Sequence, residues 1–487
     1  MKVFCRTVLA NEEVYAAKLL EDLKSSIFDA VNLDQKGRIT SKIYLLTGLY
    51  TTHLLSRGYS PTYLFNRAEM FTRENNYQGR SFLQQFEAIT ERLRTYTTEH
   101  EVCFAIRANK PNSLLTIDDD SVFTFMDEIP AAIQGQDREK LIREFTPNVI
   151  ASATVETTDH IGASWYVKDK LDQLLDTVTA LDLNPKIQIS SHCVTIARHP
   201  TGSHTKAINI SFLLGFLSSE GGTYFSSSNA SIRHAFSKLD EQGEEQLGRS
   251  LRYLRLARES VSMEQKLLNL WIALESLYTG GQSTILSNII EYVPQIYAVA
   301  ALSRRVRYLR DLLVKARAIA PQRVRDEFGL PEIFDEEVTG EQIFLLLRNE
   351  GLTIELFNSL APKEHLKYKI MSTFEEMKTN ATIAKRIRNS EIDVERQLKR
   401  IYFLRNKIAH TGHYSNIRPQ LITHLLDYLA SCYLALSVSA ENASSKNGQS
   451  VDELFAGYKM GADIVLARVN SDCQVDHLSE LVPVPVG

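Results

Sequence analysis

"VERQLKRIYFLRNKIAH", residues 394–410, decides how the second half of the chain is read. Leu398, Ile401, Tyr402 and Arg405 recur at i, i+3, i+4 and i+7, the spacing that places them on one face of an α-helix. Asn406 and His410 are four apart and share a neighbouring face. Gly412 then reads as the helix stop, and Pro419 fits the first turn of the next helix, "PQLITHLLDYLASCYLAL" (419–436). An arginine on an inward face is costly unless it has a partner. Two readings follow. In one, Arg405 is neutralised inside the bundle and His410 caps helix carbonyls. In the other, both are held for a ligand.

Spacing alone does not choose. An arginine followed closely by a histidine also occurs in "RTYTTEH" (94–100), "RHPTGSH" (198–204) and "RPQLITH" (418–424). The first two fall where a helix gives way to strand or loop, and the last has proline directly after its arginine. A second segment supports the 405–410 pair. In "KLLNLWIALESLY" (266–278), Leu267, Trp271, Leu274 and Tyr278 form one apolar face with Glu275 beside it. A long helical pattern, "GRSLRYLRLARES" (248–260), precedes it.

"RNKIAH" resembles the R-x(4-6)-H motif of the HEPN superfamily, in which a polar residue often follows the arginine. "LWIALESLY" looks like the W-x-A-L-E-x-L helix of its Apea-like members. The resemblance covers about residues 245 to 440, and its motifs occur in the family's order. It implies an all-α HEPN-type bundle, metal-independent cleavage of RNA, and a homodimer in which two such helices form one composite site. The residues carried over are Arg405, Asn406 and His410 as catalytic and Glu275 and Trp271 as supporting. Lys407, His413, Arg400 and Arg258 are candidate RNA contacts. No cofactor and no metal are implied. Some members paired with nucleotidyltransferases carry a tyrosine two residues after the histidine; Gly412 stands there in this chain.

Histidine titrates near neutrality and can take or give a proton. Arginine stays charged and offers a planar fork to phosphate oxygens. Arginines at 249, 252, 255 and 258, a cluster at 304–310 and a third basic run at 385–400 are either solvated helix faces or phosphate contacts.

Outward from this region, the first hundred residues read as helical. "EEVYAAKLLEDLKSSIFDAV" has helical apolar spacing, and in "SPTYLFNRAEMF" Ser60 reads as N-cap with Pro61 at the first helical position. "EVCFAIRA", "SVFTFM", "NVIASATVET" and "KIQISSHCVTIARH" are short and rich in β-branched residues, and read as strands with two helices interleaved. The expected organisation is a helical region (1–100), an α+β region with a small sheet (101–225) and a HEPN-like helical domain (231–441) with an insertion near 320–395. A linker, last helix and frayed tail (442–487) end the chain. The α+β region carries no chemistry that the sequence names. Its place before a toxin-like nuclease suggests a sensing module for a phage-derived trigger or an inhibitory partner.

The 487 residues carry a net charge of −4, with 44% hydrophobic and 23% charged, so nucleic-acid contact would need a local basic patch. The five cysteines are scattered without C-x-x-C spacing. The N-terminus turns acidic too early for a signal peptide, and the longest apolar candidate, "LASCYLALSVSA", is too short to span a membrane. A cytoplasmic protein without a membrane partner is the expectation. His192, Cys193, His199 and His204 match no common zinc spacing, and strand geometry sends His192 and Cys193 to opposite faces. "DDDS" (118–121) reads as a solvated turn.

Overall fold

The structure is a computed structural model. It describes residues 11–28, 38–72, 74–94, 97–117, 122–178, 187–199, 202–212, 237–260, 262–280, 283–360, 363–412, 417–442, 448–471 and 475–485. His413 and the acidic 118–121 segment lie outside the described residues. The chain divides into two compact units, Met1–Val31 with Ile43–Phe216, and Asn32–Lys42 with Leu217–Gly487. The helical and α+β regions that the sequence separates near residue 100 thus share one unit. The last helix and tail share the other with the second helical domain.

The first unit has helices α1 (Glu12–Phe28), α2 (Arg38–Ser56), α3 (Pro61–Arg67), α4 (Phe82–Arg92), α5 (Gly135–Leu141) and α6 (His160–Val178). The first five residues of α2 cluster with the second unit. The strands are β1 (Thr98–Ala108), β2 (Thr124–Met126), β3 (Val149–Thr157), β4 (Ile187–His199) and β5 (Gly202–Asn209). They form one antiparallel sheet in the order β2-β3-β1-β4-β5. The central strand β1 is buried on both faces from Val102 to Ile106. Its near-continuous apolar run answers to that, since alternation marks a strand with one wet face. β5, "GSHTKAIN", escapes the sequence reading because Ile208 is its one large apolar residue.

Ser60 accepts from the Tyr63 amide as the N-cap of α3, with Pro61 in the first turn as expected. Asp159 does the same for α6. Its Oδ1 accepts from the amides of Ile161 and Gly162, while Ser60 donates its amide at 2.7 Å and its hydroxyl at 2.8 Å to the same carboxylate. Two helix starts are thus joined through one buried acid, its negative charge held by four donors.

In the second unit, helices α7 (Glu241–Glu259), α8 (Met263–Ser276), α9 (Ile285–Lys315), α14 (Asn380–Thr411), α15 (Pro419–Asn442) and α16 (Val451–Asn470) enclose one apolar core. Between α9 and α14 lie α10 (Gln322–Phe328), α11 (Gly340–Arg348), α12 (Glu350–Ser359) and α13 (Glu364–Met377). Trp271, Tyr278, Leu398, Leu425, Leu429 and Phe455 sit at the centre of the main core. The segment read as an insertion near 320–395 builds a second core with the far half of α9, the first turns of α14, the end of α16 and the tail. The tail is packed rather than frayed: Val475, Leu478 and Leu481 are buried there, and Leu478 donates its amide to Glu341.

Two helices, Ile285–Lys315 and Pro419–Asn442, are long and apolar enough by length and composition to cross a membrane. The expectation that no segment reaches that length is corrected here. The physical source is packing: both helices line the unit's cores, and a helix packed on several sides becomes apolar around most of its surface.

Candidate functional site

α14 runs for 32 residues and starts from a capping box at Thr379. It buries Val394, Leu398, Ile401 and Ile408 on one stripe and ends at Gly412, whose φ of 60° places it in the left-handed region. The Gly412 amide returns to the Ile408 carbonyl and closes the last helical turn. The stop predicted at Gly412 is a backbone requirement.

Arg405 lies part-buried on the flank of that stripe. One guanidinium nitrogen donates to Asn406 Oδ1 at 3.0 Å, and another meets Glu275 Oε2 at 3.2 Å. Glu275 comes from the last turn of α8, 130 residues earlier. The carboxylate and the neighbouring amide hold the guanidinium plane by two bonds. The Arg405 and Glu275 side chains are 26% and 19% exposed, so the pair is screened on one side and packed on the other.

Trp271 is fully buried one turn back on α8, and its ring lies 5.7 Å from that of Tyr402. Its indole Nε1 has no hydrogen-bond partner among the described residues. Trp271 therefore acts as a packing wedge that sets α8 against α14 and keeps Glu275 within reach of Arg405. The α7–α8 corner is fixed by Lys266, whose ammonium donates to the carbonyls of Ala257 and Arg258 at the end of α7. Ser250 links α7 to α8 and α15 through the Ala273 carbonyl and the Tyr433 hydroxyl.

His410 is exposed, and none of the described hydrogen bonds or ion pairs involves its ring. It stands one turn beyond Asn406, a rise of about 6 Å along the axis. Lys407 and Arg400 are exposed on the same helix, and Arg258 is exposed at the end of α7. One residue the sequence reading passed over belongs with them. Phe403 is 65% exposed, and the Lys407 ammonium sits 5.8 Å from its ring centroid. It precedes His410 by seven residues, so Phe403, Lys407 and His410 form one outward stripe. Its signal was a phenylalanine off the packing stripe.

The other arginine–histidine pairs are set differently. Arg94 is paired with Glu91, while His100 is buried in β1. Arg198 is paired with Glu101, and the β4–β5 register sets His204 opposite Ala197, on the other face from Arg198. His424 is half-buried on α15, with burial lowering its pKa, while Arg418 is exposed outside that helix.

The basic runs resolve into distinct classes. Arg304 bonds Ser431 and lies over Tyr297, Arg305 pairs with Glu376, and Arg310 donates to the carbonyls of Val338 and Glu336. These three are part-buried and engaged by the fold, whereas Arg307 of the same cluster is exposed. Arg386, Arg396 and Lys399 are likewise paired with acids. Arg249 pairs with Glu245, whereas Arg252, Arg255 and Arg258 are exposed without an ion pair among the described residues. In the sheet, Cys193 is buried with its thiol on Ser164, and His192 faces the other way toward Ser191.

No protein-family model matches the chain, and no curated protein or solved structure matches it significantly.

Proposed function

We propose that the second unit is a metal-independent endoribonuclease of HEPN type, acting as a homodimer, with Arg405, Asn406 and His410 at its centre. The observation that carries this reading is the α14 terminus. A guanidinium held by Asn406 and Glu275 precedes by five residues, on the same helix, a solvent-facing histidine that no helix carbonyl engages among the described residues. A purely structural histidine at a helix end would be expected to cap carbonyls.

In the proposed reaction the RNA 2′-oxygen attacks the adjacent phosphorus. The O2′–P bond forms and the P–O5′ bond breaks, leaving a 2′,3′-cyclic phosphate and a 5′-hydroxyl. One His410 takes the 2′-hydroxyl proton and the second copy's His410 protonates the leaving 5′-oxygen. Arg405 stabilises the charge on the non-bridging oxygens. Lys407, Arg400 and Arg258, with the unpaired arginines of α7, supply further positive charge for the RNA backbone. The outward Phe403 offers apolar area for the partner copy, whose approach would bring the two α14 ends together. A growth-arresting role in phage defence belongs to this proposal, as does a trigger-sensing role for the first unit and a cytoplasmic location.

A second reading has a specific observation in its favour. Arg405 is already satisfied by a carboxylate, as a structural ion would be, and the unit would then be a non-catalytic helical adaptor. Expression of the wild type beside His410→Ala separates the two. The nuclease reading expects RNA degradation and growth arrest with the wild type alone, and cleavage that survives EDTA. Equal harmlessness of both, with intact cellular RNA under every inducing condition, favours the adaptor. Loss of all cleavage in EDTA points to a metal-dependent enzyme instead.

A further inference from the structure

The last residue of α11, the corner between α13 and α14, and the end of α16 meet around an open cleft of about 560 Å³. Two cations, Arg348 and Lys378, line it together with the carboxamides of Asn380 and Asn470 and the hydroxyls of Thr379 and Ser471. Among the described residues no carboxylate forms part of its wall. A cleft of this size holds a small organic molecule.

Arg348 is fixed from the protein side. It donates to the Met377 carbonyl and to Asn380 Oδ1, each at 3.1 Å. These bonds use two of the five N–H groups of a guanidinium. Both partners are neutral, whereas Arg305 and Arg405, part-buried like Arg348, meet the carboxylates of Glu376 and Glu275. Burial lowers the Arg348 pKa. The exposed Asp476 of the tail offsets part of this through space, without forming an ion pair among the described residues. A part-buried guanidinium held by neutral acceptors lacks a close counter-charge, and an oxyanion placed against it would supply one.

Lys378 projects from the same corner, between Met377 and Asn380 in the chain. Its ammonium meets Glu375 at 2.7 Å, but the two side chains are 36% and 56% exposed. A pair so open to water contributes little and exchanges partners at little cost. The helix end at this corner is not what would recruit a ligand, since Thr379 and Thr382 close it as a capping box.

We infer that this cleft binds the phosphate group of a small phosphate monoester, with Arg348 as the anchoring fork and Lys378 as the second cation. A phosphate offers three terminal oxygens in three directions, which suits donors set around a cleft; a carboxylate presents two oxygens in one plane. The cleft lies at the start of α14, about 45 Å along the helix axis from His410, so the inference does not depend on the nuclease reading.

The test is calorimetric titration of the full chain with inorganic phosphate, glycerol 3-phosphate, glycerol and succinate at matched ionic strength. Saturable binding of phosphate and its ester is expected, with none of glycerol, and succinate weaker than the ester by at least about tenfold. Lys378→Met should weaken binding of the ester about tenfold, the loss of one charge-assisted contact, and should melt like the wild type in phosphate-free buffer. Arg348→Lys should weaken it further by losing the planar fork. If Arg348→Lys fails to fold, Lys378→Met carries the test alone. Arg405→Ala should bind the ester like the wild type, because Arg405 stands toward the other end of α14. Absence of saturable binding would overturn the inference. So would unchanged binding in either folded cleft variant, which would leave Arg348 as a structural tie between α11 and the corner. Binding lost in Arg405→Ala would place the ligand elsewhere, and succinate binding as tightly as the ester would remove the preference for phosphate; either result also overturns it.

Discussion

Replacing Glu275 tests what holds Arg405. At 3.2 Å the pair has a gross Coulomb energy of about 5 kcal/mol at an effective dielectric of about 20, and about 1.3 kcal/mol in bulk water. Both side chains keep roughly a fifth to a quarter of their surface exposed, so solvent screens the attraction while desolvation opposes it. A net coupling of about 1–2 kcal/mol is the expected result. A double-mutant cycle of Glu275→Ala and Arg405→Ala measures it directly. The chain has two tryptophans, and a Trp165→Phe background leaves Trp271 as the reporter of the second unit in urea unfolding. The coupling should shrink in about 1 M salt, where the screening length falls to about 3 Å. In the proposed nuclease, Glu275→Gln should lower cleavage less than Arg405→Lys, because it keeps a hydrogen-bond acceptor for the guanidinium. A coupling below about 0.3 kcal/mol would refute the claim that Glu275 positions Arg405. A Glu275→Gln protein that cleaves RNA no better than Arg405→Lys would refute the ranking.

Three further outcomes follow from the same geometry. In RNA-cleavage assays Arg405→Lys should reduce the rate sharply by losing the planar fork, and His410→Ala should cost about 10²- to 10⁴-fold, with both variants still folded by circular dichroism. A methyl group added at Gly461 would collide with the Val484 carbonyl oxygen, so Gly461→Ala should release the tail and raise hydrogen exchange around residues 475–485 while the main core persists. His160 has a folded pKa depressed from 6.5 to about 3, so the unfolded chain binds the extra proton between these values. The first unit should hold its full stability above pH 6.5 and lose it toward pH 3, by at most about 1.4 kcal/mol per pH unit, and His160→Gln should flatten that slope in pH-dependent melting.

Several parts of the architecture were legible from residue pattern alone. The period of Leu398, Ile401 and Tyr402 specified a helix, Gly412 specified its end, and Ser60 with Pro61 specified the start of α3, because these are local backbone and side-chain demands. Four of the five strands announced themselves by β-branched runs. β5 did not, since its place is set by pairing with β4 rather than by its own composition. The sequence also identified Glu275 and Arg405 separately, as an acid beside one apolar stripe and a base on another.

Only the tertiary structure decided that they meet, because 130 residues separate them and the wedge of Trp271 against Tyr402 sets the approach of their helices. The fate of the arginines was decided there too. Those at 304, 305 and 310 resemble the exposed ones of α7 in sequence, yet carbonyls, a hydroxyl and a carboxylate from distant segments consume them. Helical period and turn chemistry act over a few residues and can be read along the chain. Charge pairing acts over a few ångströms in space, and the fold alone determines which residues share that distance.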